Sequence, residues 1–164
     1  MKKITQAIIK IIALIIYPFF IIYKIISTQI GERIYTQLIR YNLQFNGHQI
    51  GNSLKVGKSV KFKIHKNSKV SIGKNVVIGD DVYIKVKKRA ELIIGDNVHI
   101  NKGTRISSFE SIKINKNTLI ASYCNLLDHN HLYTLLSPPS TKEYECSPIY
   151  IEEGVLLGTK VQVN

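Results

Sequence analysis

The sequence predicts a mainly β fold, a solenoid of stacked coils that follows an N-terminal helical segment. Three observations lead to this prediction. Large aliphatic residues recur every six positions from about residue 54 onwards, Gly, Asn or Ala often follows them directly, and residues 8–26 are nearly all apolar. The chain has 164 residues, which is enough for one domain with its own core.

The N-terminal segment, residues 1–45, differs in composition from the rest of the chain. Its uninterrupted apolar run, between Lys10 and Lys24, is 13 residues long. A helix that crosses a bilayer needs about 20 apolar residues, and Pro18 is expected to kink or divide the helix. We therefore expect residues 8–27 to lie at a membrane surface as a shallow anchor. A single transmembrane span and a soluble packing helix are the alternatives.

The net charge limits the possible partners. Lys and Arg number 23 and Asp and Glu 11, which gives a formal charge of +12. Such a balance favours an anionic partner, but no basic helix or base-stacking motif is present, so nucleic acid is not expected. Basic residues that flank an apolar segment suit the anionic cytoplasmic leaflet. We therefore expect peripheral or shallow attachment at the cytoplasmic face of the inner or plasma membrane.

The six-residue period is the strongest pattern in the chain. It is carried by Ile72, Ile78 and Ile84, by Ile94, Ile100, Ile106 and Ile112, after a slip of two residues by Ile114, Ile120 and Leu126, and again by Ile151 and Leu157. Three short strands joined by tight turns would form a triangular coil of about 18 residues, with the aliphatics stacked inside. Gly, Asn and Asp are expected at the turns because they tolerate left-handed backbone angles.

The period stops at LLDHNHL, residues 126–132, and segment 132–148 contains three prolines and no repeat. We expect this segment to be a loop at a coil edge, where binding and catalytic clefts form. In an extended strand, residues 129 and 131 point to one side and residues 128 and 130 to the other. Asp128 therefore either orients His129 or caps a turn. Two histidines satisfied in a turn, without any chemistry, remain the alternative.

The repeats carry a resemblance to a known family. IGKNVVIGDDVYI, IGDNVHINKGTRI and INKNTLIASYCNL resemble the hexapeptide repeats of the left-handed parallel β-helix acyltransferases. LLDHNH followed by the loop and SPIYIEEGVLLGTKV is similar to the sugar and capsular-polysaccharide O-acetyltransferases. The resemblance covers residues 52–164. It implies that residues 46–164 form a left-handed parallel β-helix acyltransferase domain, with residues 132–148 as an inserted loop, and that the protein is a homotrimer.

The resemblance also implies an activity. The expected reaction is transfer of an acetyl group from acetyl-CoA to a sugar hydroxyl of a surface polysaccharide or its lipid-linked precursor. His129 or His131, equally placed in the motif, would be the general base. The remaining site residues implied by the resemblance are Asp128, Asn130 and Tyr133 for the acceptor and Gly158 and Thr159 for CoA. No metal is expected.

Two alternatives to this activity follow from the sequence. The chain ends at VLLGTKVQVN, less than one coil past the loop, whereas the resembled enzymes usually continue for two or more coils. We therefore expect a C-terminally truncated member, and the alternative is an inactive β-helix that serves as an assembly or binding subunit. A zinc hydratase of the same fold would need three histidines, here His99 with His129 and His131, but their spacing disfavours a tetrahedral site. His48, His65 and His99 are expected to be solvated.

Overall fold

In the computed structural model, the described parts of the chain are Pro18, residues 30–132 and residues 144–164. The chain divides into two compact units, Met1–Tyr35 and Thr36–Asn164. Apart from Pro18, the predicted membrane anchor at residues 8–27 lies outside the described residues. Within the described parts, no helix combines the length and apolar character that a membrane crossing requires.

The helix α1 covers residues 30–45. Within the second unit, its residues 36–45 cover the first coil of the solenoid. The Thr36 hydroxyl accepts a hydrogen bond from the backbone N–H of Val56 at 3.2 Å, and Leu43 is buried. The opposite side of this part of α1 exposes Leu38, Tyr41 and Phe45. This part of α1 thus has one buried side and one apolar side that remains exposed.

The strands that follow are short. In chain order they are β1 (Gln49–Ile50), β2 (Lys55–Val56), β3 (Lys61–Ile64), β4 (Lys69–Ile72), β5 (Val77–Ile78), β6 (Tyr83–Val86), β7 (Glu91–Ile94), β8 (His99–Ile100), β9 (Arg105–Ser108), β10 (Ser111–Ile114), β11 (Leu119–Ile120), β12 (Asn125–Leu127), β13 (His129–His131), β14 (Tyr144–Cys146), β15 (Ile149–Ile151), β16 (Leu156–Leu157) and β17 (Gln162–Val163). Successive strands belong to different sheets, as three-sided coils require.

Three five-stranded parallel sheets result from this order. Sheet A is β1-β4-β7-β10-β15, sheet B is β2-β5-β8-β11-β16, and sheet C is β3-β6-β9-β12-β17. The predicted solenoid of stacked parallel coils is therefore confirmed, whereas its left-handedness stays a prediction. The aliphatics of the six-residue period face inwards and stack in register, as Ile78, Ile100 and Ile120 do on neighbouring strands of sheet B. These three side chains are at most 1% exposed.

The predicted coil length of about 18 residues is wrong. Glu91 lies 22 residues after its partner Lys69, and Ser111 lies 20 residues after Glu91. The coils are longer because strands in sheets A and C reach four residues and carry two inward aliphatics, such as Val70 and Ile72, whereas strands in sheet B have two residues. A coil thus contains more than three hexads.

Asparagine and glycine have separate roles at the corners. Asn75, Asn97 and Asn117 adopt the left-handed conformation, with φ between 55° and 59°. Their side chains form a ladder in which Asn75 donates to Asn97 at 3.2 Å and Asn97 donates to Asn117 at 3.0 Å. The glycines that directly follow the aliphatics, such as Gly79 and Gly95, do not have positive φ. They are required because the next coil passes too close for a side chain.

We expect Gly95→Ala to lower the free energy of unfolding by about 1–3 kcal/mol. An added Cβ would lie 2.7 Å from the backbone nitrogen of Lys116, which the next coil holds in place. Gly158→Ala is the matched control, because the nearest atom, Cγ2 of Val161, would be 3.9 Å away. Urea denaturation followed by circular dichroism measures both. Equal stabilities of the two variants would contradict this account of the glycines.

The predicted loop is built on a two-stranded ribbon. The chain leaves sheet C at Asp128, and β13 then pairs with β14 in antiparallel register, His129 opposite Cys146. It returns to the solenoid in β15, which pairs with β10. Residues 133–143 lie outside the described residues. The ribbon begins at the histidine itself, so His129 stands where the repeat gives way to the insertion.

Candidate functional site

Asp128 occupies an inward position of the solenoid. Leu127 pairs with Ser107, so Asp128 follows at the level of Ser108, which in turn pairs with Val86 one coil earlier. Asp128 is 1% exposed to solvent. The carboxylate accepts hydrogen bonds from the backbone N–H groups of Phe109 and Glu110, at 2.7 and 2.9 Å. It shares the one hydroxyl proton of Ser108, at 3.1 Å, with the carbonyl of Glu91, at 2.8 Å. A charged group replaces an aliphatic at this level of the core.

A shortened corner explains why a carboxylate is accommodated there. One coil earlier, residues 87–90 join sheet C to sheet A, the N–H of Ala90 bonds the carbonyl of Lys87 at 3.1 Å, and Ala90 is buried. The equivalent corner between β9 and β10 has only Phe109 and Glu110, two residues fewer. The carboxylate fills the space and accepts the corner's N–H groups, because buried backbone donors need partners.

His129 continues a column of outward-facing side chains. The backbone N–H of Lys87 donates to the carbonyl of Ser108 at 2.9 Å, so Lys87 lies beside Phe109 on the next coil. Because Leu127 pairs with Ser107, His129 lies beside Phe109 on the coil after that. The imidazole stacks on the Phe109 ring with centroids 3.4 Å apart and planes 6° from parallel. Lys85 and Lys87 place their ammonium groups 4.8 and 4.9 Å from the centroid of the same ring. The aromatic ring thus lies between two ammonium groups and the imidazole.

A bend at Asp128 brings its carboxylate to His129. Strand alternation would put the two side chains on opposite sides, but Asp128 is a bend between β12 and β13. Nδ1 of His129 lies 3.4 Å from Oδ1 of Asp128. Asp128 therefore accepts the N–H groups of a corner and also contacts His129, whereas its role in orienting His129 stays a prediction. The tautomer that donates from Nδ1 to this carboxylate would leave Nε2 as the nitrogen that accepts a proton.

The surroundings favour the neutral imidazole. Burial lowers the pKa of His129 below its ordinary value of 6.5, and the positive charges of Lys85 and His131 lower it further, while the hydrogen bond and charge of Asp128 raise it. The side chain keeps 12% of its surface exposed. A neutral, oriented imidazole at the protein surface has the properties of a general base.

The other predicted acceptor residues are distributed around this histidine. His131 and Asn130 are exposed on β13. The ring of His131 lies 4.8 Å from that of Tyr144, and the ring of Tyr144 contacts Phe109 at 4.8 Å, edge to face. Tyr133 lies outside the described residues. Of the predicted set, Asp128 and His129 are in direct contact, and the predicted acceptor contacts of Asp128, Asn130 and Tyr133 stay predictions.

Gly158 and Thr159, the residues expected at CoA, lie at another corner of the solenoid. They follow β16 and precede β17, between sheets B and C, whereas His129 begins where sheet C turns towards sheet A. Thr159 is exposed, and the carbonyl of Gly158 accepts a hydrogen bond from the buried thiol of Cys124 at 3.0 Å. Their contact with CoA stays a prediction.

Among the remaining histidines and cysteines, Cys146 adjoins the site as the strand partner of His129. His99 lies on sheet B, away from the ribbon that carries His129 and His131, and no cluster of three or more metal-ligating side chains occurs in the described parts of the chain. His65 and His99 are exposed as expected, but His48 is buried, which lowers its pKa. Burial and the charges of Asp128 and Glu110 raise the pKa of Cys146, so its thiol is protonated at neutral pH.

The sequence analysis missed Phe109, Lys85 and Tyr144. A usable signal was present, because the slip of two residues between Ile112 and Ile114 accompanies the shortened corner at Phe109. Ser108 was a second signal, since it stands at a level where the previous coil has Val86. Register between coils, which the six-residue spacing alone does not give, is needed to align these residues with His129.

Comparison with known proteins adds no family to this description. No family model, curated protein or solved structure matches the chain.

Proposed function

We propose that this protein is an O-acetyltransferase of the left-handed β-helix, hexapeptide-repeat class, which transfers an acetyl group from acetyl-CoA to a sugar hydroxyl of a surface polysaccharide or its lipid-linked precursor. The observation that carries the proposal is the pair formed by His129 and the buried carboxylate of Asp128, 3.4 Å apart, at the start of the inserted ribbon. The parallel β-solenoid, in which this pair occurs, supports the family resemblance of the repeats.

The proposed reaction needs one base and no metal. Nε2 of His129 removes the proton of the acceptor hydroxyl, and the hydroxyl oxygen bonds to the carbonyl carbon of the thioester. The carbon–sulfur bond then breaks, and the departing sulfur takes the proton back from the imidazolium. The products are an acetyl ester and the free thiol of CoA. Asp128 stabilises the imidazolium between the two proton transfers and fixes the ring through Nδ1.

The test is release of thiol from acetyl-CoA by the purified, detergent-solubilised chain with a panel of sugar acceptors. We expect release that depends on an acceptor and disappears in a His129→Ala/His131→Ala double variant. Direct binding of CoA is measured in parallel by calorimetry. Absence of turnover with every acceptor, together with absence of CoA binding, would reject the proposal and favour the inactive assembly or binding subunit.

The pH profile gives a second prediction. Because burial lowers the pKa of His129 below 6.5, we expect kcat/KM to rise with pH through a midpoint below 6.5 and then to stay level, since the base is active when unprotonated. Lys85→Gln removes a positive charge that opposes protonation, so its midpoint should lie at higher pH. A midpoint above 6.5 in the unmodified protein, or a downward shift in the variant, would contradict this assignment of the base.

The proposal includes the predicted membrane association and assembly. Residues 8–27 would attach the protein to the cytoplasmic face of the membrane, and the exposed Leu38, Tyr41 and Phe45 of α1 offer further apolar surface. We expect co-sedimentation with vesicles that contain anionic lipid, and loss of binding in a Phe20→Asp/Ile22→Asp variant. Binding that is unchanged by the substitutions would reject the proposed membrane association.

Light scattering after gel filtration in detergent should give the mass of a homotrimer. The mass of a monomer would reject the proposed assembly.

A further inference from the structure

Sheet C has a basic outer face. Its outward cations form two neighbouring columns, with Lys61 and Arg105 on either side of Tyr83 in one and Lys63 next to Lys85 in the other. None of the five strands of sheet C contains Asp or Glu. On sheet A, by contrast, Lys69 pairs with Glu91 at 2.6 Å. The positive charges of sheet C are therefore not neutralised by carboxylates of the same sheet.

A groove follows the first of these columns. Lys61, Asp81, Tyr83, Gly103 and Arg105 line it, and its volume is about 540 Å³. This lies within the range of about 300–1,000 Å³ that is typical of small-molecule sites. The Arg105 guanidinium lies 5.5 Å from the centroid of the Tyr83 ring. The two cations and the aromatic surface suit a polar, negatively charged ligand, whereas the Asp81 carboxylate opposes one.

Lys85 connects this face to the candidate site. Its ammonium group lies 4.8 Å from the centroid of the Phe109 ring, and His129 stacks on the same ring. Burial lowers the pKa of Lys85, and the charges of Lys87, Lys63 and Arg105 lower it further. Neighbouring cations repel one another, so a bound anion would relieve this repulsion at a position that adjoins the proposed base.

We propose that the outer face of sheet C, through Lys63, Lys85 and Arg105, binds the negatively charged group of an anionic acceptor, a sugar that carries a phosphate or a carboxylate. The inference rests on the proposed function only in naming this ligand as the acceptor. The anionic group would bind on the outer face of sheet C. The rest of the sugar, with the hydroxyl to be acetylated, would then extend past Lys85 towards His129. Both anionic sources share this chemistry, and the probes below separate them.

The experiment is a binding measurement on the full-length chain in a zwitterionic detergent at low salt, without acetyl-CoA. The probes are glucose 1-phosphate, glucuronate and neutral glucose, and calorimetry measures the dissociation constant of each. We expect at least one of the anionic sugars to bind more tightly than glucose. In Lys63→Gln/Lys85→Gln the affinity should fall about tenfold. The anionic sugar that binds more tightly shows whether the acceptor's charged group is a phosphate or a carboxylate.

A matched variant separates a site from a general charge effect. Lys55→Gln/Lys113→Gln removes the same two charges from the outward faces of sheets B and A, and we expect its affinity to change less than about twofold. Equal losses in the two variants, or equal binding of glucose and both anionic sugars, would overturn the inference. CoA is titrated separately into the same variants. The inference would also be overturned if the sheet C variant bound CoA less tightly but bound both anionic sugars as tightly as the unmodified protein does.

The outcome is independent of catalysis. Anionic sugars that bind on sheet C in a protein without acetyl transfer would support this inference and reject the proposed function. Transfer to neutral sugars alone, without binding of the anionic probes, would support the function and overturn the inference.

Discussion

Asp128→Asn should lower the free energy of unfolding by about 3 kcal/mol or more, since hydrogen bonds to a buried charged group contribute about 1.5–3 kcal/mol each. The carboxylate accepts bonds from Phe109 N–H on one oxygen and from Glu110 N–H and the Ser108 hydroxyl on the other. An asparagine amide has one oxygen and one NH₂ group. Whichever way it turns, the NH₂ faces a backbone N–H, and one buried donor loses its acceptor.

Thermal and urea denaturation of this variant should be compared with Asp80→Asn. The Asp80 carboxylate accepts a backbone N–H of the neighbouring coil, that of Lys58 at 2.7 Å, but at an exposed corner where water can replace it. We expect its loss to be about 1 kcal/mol or less. If the two variants were equally stable, Asp128 would not have the structural role described here, and the orientation of His129 would need another explanation.

The second large effect is catalytic. His129→Gln should lower kcat for acetyl transfer by about 10²–10⁴-fold, because glutamine fills similar space and forms hydrogen bonds but cannot accept and return the proton. His131→Gln should change kcat by less than about tenfold. The distinction follows from the environments, since His129 contacts Asp128 and Phe109, whereas His131 is exposed two residues further along the ribbon.

Two readouts distinguish loss of the base from loss of structure. Circular dichroism should show that both glutamine variants fold, and added imidazole should restore part of the activity of a His129→Gly variant only. The opposite ranking, with the larger loss in His131→Gln, would assign the base to His131. If imidazole does not restore activity to His129→Gly, and His129→Gln has a lower melting temperature than the unmodified protein, His129 has a packing role.

The fold could be predicted from the sequence because its core repeats. One large aliphatic in every hexad is a local signal, and Ile78 and Ile100 are buried as their spacing indicated. Coil length was not predictable in the same way. The four-residue strands of sheets A and C add inward positions such as Val70 to the period, and a local spacing does not reveal which residues of successive coils are neighbours.

The candidate site was predictable only in part. DHNH marked the place because ionisable residues interrupt an aliphatic series. The proposed preference for His129 over His131 depends on the bend at Asp128 and on the contact with Phe109, and both follow from register between coils. The inward direction of Asp128 depended on hydrogen bonds to a corner nineteen residues earlier, at Phe109. Such long-range contacts have no local sequence signature.

The shortened corner at Phe109 and Glu110 has a genetic consequence. A buried carboxylate fits beside His129 because two residues are absent from this turn relative to the turn at residues 87–90. We therefore expect an in-frame gain of two codons at this corner to displace the carboxylate, although the segment contributes neither residue of the pair. In a repeat protein of this kind, a change of length at one corner would remodel the chemistry of the neighbouring coil without any substitution there.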